Sequence, residues 1–139
     1  MTARYDEGMV GCVLRVSGSL FLVDAFMAQS GLTACRIWHA GERSVGSRPP
    51  VSTSGFNSVV SEGADLATQV SDAILFLRRY RGDLLRLCSL AEVEDLVLDF
   101  GISQRDVAGQ FERIPWELVR AAGELRMSFE LSLYAVSDD

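Results

Sequence analysis

There is no lysine in this chain; all thirteen basic residues are arginine. That excludes Schiff-base chemistry and a lysine nucleophile, and it reads as the codon bias of a GC-rich bacterial genome. Histidine occurs once, at His39, so a catalytic triad would have a single residue to draw on. The three cysteines, Cys12, Cys35 and Cys88, are odd in number and far apart in apolar segments. They fit reduced, buried thiols of a cytoplasmic protein better than a disulfide framework. Apolar runs extend only a few residues, too short for a membrane span, and Met1 to Gly11 holds acids and no apolar core of a signal peptide. With a net charge of −6, the chain is poorly equipped to neutralise phosphates, which argues against general nucleic-acid binding. The same charge suits a basic partner.

What is present is a long apolar stripe. Leu66, Val70, Ala73, Leu77, Tyr80, Leu84 and Leu87 recur at alternating steps of four and three, with Ile74 and Cys88 beside them. That spacing gathers them on one face of a helix. Gly82 falls inside the pattern and predicts a kink or break, with Asp83 capping a second, short helix. Period-two alternation marks strands at Val10–Val16 and, most clearly, Met127–Val136. In the latter Met127, Phe129, Leu131, Leu133 and Ala135 face a core, and Ser128, Glu130, Ser132 and Tyr134 face away. Further strands are expected at Thr33–His39, Phe56–Val60 and Val93–Phe100. A helix from Leu20 to Gln29 should start at Ser19, stop at Gly31 and bury Leu20, Val23, Phe26 and Met27. A turn of helix is expected at Gln104–Ala108. Pro115 opens a last helix that should bury Trp116, Val119, Ala122 and Leu125.

The 139 residues make one domain, with a flexible stretch at 1–9 and a mobile loop at 40–50. The order β-α-β-β-α-β-α-β predicts an α+β fold: a single, mostly antiparallel sheet of about five strands, helices on one face and a wet reverse.

The residues that punctuate this order resemble a bacterial family labelled domain of unknown function 4279. They are Ile37-Trp38 followed by Gly41-Glu42, then Ser54-Gly55-Phe56 before the long helix. Ile114-Pro115-Trp116-Glu117-Leu118-Val119 then leads into Phe129-Glu130-Leu131-Ser132-Leu133-Tyr134. The likeness covers nearly the whole chain. Where that family tends to carry tryptophan after the glycine of the third strand, this chain has Phe56, so a role for an indole donor there would be lost. The resemblance implies a ferredoxin-like or related fold and brings no activity with it.

Tested for chemistry, the chain offers little. Cys35 and His39, four apart, would adjoin on a helix but stand roughly 13 Å apart on a strand. No cysteine pair has the spacing of a structural zinc site. The acids Glu92, Glu94, Asp95 and Asp99 read as a solvated strand entrance. Gly41, Gly46 and Gly55 match neither phosphate-binding spacing. Arg78, Arg79 and Arg81 are spread around a helix axis. No cofactor and no metal is therefore expected. The expected site is the polar sheet face, where Arg15, Glu130 and Tyr134 meet either Arg36 with Trp38 or Cys35 with His39. The leading expectation is a non-enzymatic interaction module, an immunity-type or accessory protein that binds a protein partner or its own copy. A small-molecule binder using that face, or the 41–50 loop as a lid, is the alternative, and an enzyme comes last.

Overall fold

The apolar stripe winds as two consecutive helices, α2 (Leu66–Arg79) and α3 (Arg81–Ser89). The computed structural model describes residues 10–43, 46 and 48–135, so the 1–9 stretch and residues 44, 45 and 47 of the 40–50 loop lie outside the described residues. The junction falls at Tyr80, two residues before the expected Gly82. Tyr80 donates its amide to the Phe76 carbonyl at 3.0 Å and accepts from Leu84 at 2.9 Å. The helical ladder thus runs through the bend, and the chain turns without a break. Asp83 does not cap α3; its Oδ2 accepts the Gly31 amide at 3.0 Å and its Oδ1 accepts Arg86. At the other end, Asp65 caps α2 by accepting from the amide and hydroxyl of Thr68, which holds its carboxyl below the usual range.

The full order is β1 (Gly11–Gly18), α1 (Val23–Ala28), β2 (Arg36–Trp38), β3 (Ser54–Ser61), α2, α3, β4 (Asp95–Gln104), α4 (Trp116–Glu124) and β5 (Ser128–Ala135). The five strands form one sheet in the order β2-β3-β1-β4-β5. Among β1 to β4 each neighbouring pair is antiparallel, in the 2-3-1-4 order of a ferredoxin-like split βαβ arrangement. The α4 crossover then adds β5 parallel to β4. Central β1 is paired on both sides. Its Cys12, Leu14 and Val16 are completely buried with Phe56, Leu98 and Phe100 under the helices. Phe26 of α1 stacks on Phe56 with centroids 5.9 Å apart, and Phe21 lies 6.1 Å from Phe26. Among the described residues Gln69 is the one fully buried polar side chain in this layer. Its Nε2 donates to the carbonyls of Gly63 and Gly101, both at 2.9 Å, tying α2 to β4.

Several details depart from expectation. Helix α1 begins only at Val23, and the Gly18–Leu22 turn puts Phe21 in the core and Leu20 in solvent. Glu94, rather than Ser19, organises that turn by accepting the Ser19 amide. Gly31 does not adopt the left-handed conformation of a helix stop. No helical turn forms at 104–108, because β4 runs on to Gln104. None of the three cysteines is in a disulfide, but Cys12 alone is fully buried, with its thiol pKa pushed far up by that burial; Cys35 and Cys88 are half-buried. In α4 the buried residues are Leu118 and Ala122, followed by Leu125, while Trp116 and Val119 are 67% and 51% exposed. Leu131 and Leu133 share the core side of the sheet with Phe100 and Ile102 yet are 46% and 50% exposed. The cause is length. Nine helical residues span about 14 Å, whereas eight strand residues span roughly 26 Å, so α4 leaves half of β5 uncovered. No helix among the described residues is long and apolar enough to cross a membrane.

Two glycines separate tight packing from open space. A Cβ on Gly55 would lie 2.2 Å from the Val16 carbonyl and 2.6 Å from the Trp38 ring, whereas one on Gly82 would meet nothing within 4 Å. Urea unfolding should show Gly55→Ala destabilised by about 2 kcal/mol or more. Gly82→Ala should be stabilised by about 0.5 kcal/mol.

Candidate functional site

On β2, odd and even positions take opposite faces of the sheet. Arg36 pairs with Asn57, and Asn57 with Arg15, so these three form one row on the reverse of the helix layer. Trp38 pairs with Gly55, and only the missing side chain there lets its indole lie close to the β3 backbone. Of the two residue pairs expected to share this face, Arg36 with Trp38 is the one that does.

The row holds two different arrangements. Arg15 reaches across β4 to Asp99 and Glu130, donating to Glu130 Oε2 at 2.9 Å. Ser132 donates to the other oxygen of Asp99 at 2.8 Å. Burial works against the Arg15 charge, but the Glu130 hydrogen bond and the Asp99 charge outweigh it and raise its pKa. This is a closed network whose donors and acceptors serve each other. It accounts for a reverse face that is not uniformly wet, with Val97, beside Arg15 on β4, only 5% exposed.

The second arrangement is open. The Arg36 guanidinium sits 5.5 Å over the Trp38 ring, and Trp38 Nε1 donates to Thr53 Oγ1 at 3.1 Å. Between the two arginines lies Asn57, 7% exposed, whose Oδ1 is buried without a hydrogen-bond partner. An unmet buried acceptor costs about 1–3 kcal/mol. Tyr134 lies opposite Ser103 at the far end of β5, four residues beyond Glu130 and remote from this pair.

His39 belongs elsewhere. Its Nε2 meets Asp24 of α1 at 2.8 Å and its Nδ1 meets Glu42 at 2.6 Å. Both ring nitrogens face carboxylates, leaving neither for a nucleophile. Cys35 is also apart from His39: it lines a cavity of about 530 Å³ between the edge of β3 and α2, with Glu62, Asp72, Phe76, Arg79 and Tyr80 among the walls. Sequence reasoning spread Arg79 around a helix axis, put Tyr80 in the apolar stripe and missed this cavity. It exists because β2 stops at Arg36, opposite Asn57, leaving the rest of β3 without a strand on that side. No spacing within the chain signals that. Among the described residues no group of three or more acids, histidines or cysteines could hold a metal ion. No family model, curated protein or solved structure matches the chain.

Hydrogen bonds from the ring first to Glu42 and then to Asp24 raise the His39 pKa above its ordinary value. As the only histidine, it gives one ring signal in an NMR titration. That signal should titrate above 6.5, the ordinary histidine value, and Asp24→Asn or Glu42→Gln should each shift it downward. The protonated ring is the form that is paired. Its contribution to stability is therefore complete below the unfolded pKa and fades as pH rises through the folded one.

Proposed function

We propose that the chain is a non-enzymatic interaction module, of immunity or accessory type, that engages a protein partner through the β2 side of its reverse sheet face. The observation that carries this reading is the triad of Arg36, Trp38 and Asn57, in which the exposed Arg36 lies over the Trp38 ring above a buried Asn57. Arginine and tryptophan are the side chains over-represented among binding hot spots. The fitting partner presents a carboxylate to Arg36 and a flat apolar group to the Trp38 ring. Lying beside the closed Arg15 network, the triad rests on a scaffold whose own charges are already matched. The motifs around Trp38 and Pro115 lead us to propose kinship with domain of unknown function 4279 as well.

The test is cross-linked capture from the native host with wild type, Arg36→Ala and Trp38→Ala side by side. Each substitution should weaken the captured interaction by about tenfold or more. A partner retained equally by all three proteins would overturn the reading.

A second reading, small-molecule binding, is favoured by the cavity of about 530 Å³, a volume within the usual range of ligand pockets. A ligand at a hundred times its Kd should add about 2.7 kcal/mol in a thermal-shift screen. A flat response across metabolites would count against it.

A further inference from the structure

At the opposite edge of the sheet from the triad, β5 pairs with β4 through eight consecutive residues, Ser128 to Ala135, without a bulge. Its other side has no strand partner among the described residues. Natural edge strands are usually blunted by shortness, lysine, proline or a bulge. The β2 edge is three residues long; β5 uses none of these devices. Its sequence, Ser-Phe-Glu-Leu-Ser-Leu-Tyr-Ala, holds one formal charge, Glu130, which is already paired with Arg15.

Beside this edge the surface is apolar. Leu131 and Leu133 are about half exposed on the helix side, and Trp116 and Val119 of α4 are 67% and 51% exposed. The 105–115 connection leaves β4 at its C-terminal end, next to that of β5, and carries Phe111, which is 89% exposed. Together these five side chains expose on the order of 500 Å² of apolar surface at this end of the molecule. With the strand's main chain added, the patch approaches the roughly 800 Å² per partner of a standard interface.

We propose that β5 pairs antiparallel with β5 of a second copy of this chain, joining two five-stranded sheets into one of ten. The strand is self-complementary. A two-fold axis at Ser132 places Leu131 opposite Leu133 of the other copy on the core side, and Glu130 opposite Tyr134 on the reverse, each pair occurring twice. No like charges face each other across the axis. For a chain of net charge −6, self-association is least opposed where charge is sparse, and β5 is such a place. An isologous two-fold contact also closes on itself and does not propagate into a filament.

Sedimentation equilibrium across a concentration series tests this. Wild type should populate a species of twice the 15.2 kDa monomer mass. Both leucines are solvent-accessible, so the variants should keep the wild-type circular dichroism spectrum. The double variant L131E/L133E sets acid against acid and should weaken the dimer about a hundredfold. The double variant L131K/L133E sets opposite charges at the same contacts and should restore dimerisation. A wild type that stays monomeric up to about millimolar concentration would overturn the proposal, whatever else covers the edge. So would a dimer that L131E/L133E leaves intact, or one that L131K/L133E fails to restore. Arg36→Ala, at the other edge, should leave this equilibrium unchanged; its effect on partner capture bears on the triad alone.

Discussion

The structure depends on the register of β1. This strand is held on both sides, by β3 and by β4, so a slip of one residue would reverse every one of its side chains. Such a slip would bring Arg15 into the core and expose Leu14 and Val16. The two faces therefore lock each other. Burial of three apolar side chains fixes one, and the grip of Asp99 and Glu130 on Arg15 fixes the other. The ion-pair network spans β1, β4 and β5, so it also sets the position of the strand added last.

A second constraint is the mismatch between the helical layer and the sheet. Helices α2 and α3 cover the centre, where Leu77, Leu84 and Leu87 are all but inaccessible. Towards both edges the cover runs out. On one side β2 is too short to shield β3, and the cavity opens beside α2. On the other, α4 is too short to shield β5, and an apolar margin remains. The surfaces with binding character are the places where the ferredoxin-like core meets segments that do not fit it.

The sole use of arginine for positive charge shapes these surfaces as well. A planar guanidinium can pair with two carboxylates and can stack on a ring. Arg15 does the first; Arg36, Arg79 and Arg86 lie over Trp38, Tyr80 and Phe26 respectively. Arg86 also donates to Asp83 and to the Gln29 carbonyl, fastening α3 to the end of α1. Arg15 and Arg86 are thus structural fasteners in an acidic protein, whereas Arg36 and Arg79 each lie over a ring.

The sequence alone determined the α+β class, the number and order of the main elements and which face of β1 is buried. These follow from periodicities of two and 3.6 residues, which are local properties of the chain. It also placed Arg15 and Glu130 on a common face, because alternation carries over from strand to strand. Tertiary structure decided the rest. Strand order chose Asn57 as the neighbour of both arginines. The parity of a three-residue strand sent His39 to Asp24 and Trp38 to Gly55. The lengths of α4 and β2 left Trp116, Leu131 and the β3 edge uncovered, although the apolar pattern at Trp116 and Leu131 reads as core. Burial depends on what lies opposite a residue, and apolar periodicity records only that a residue is able to be buried.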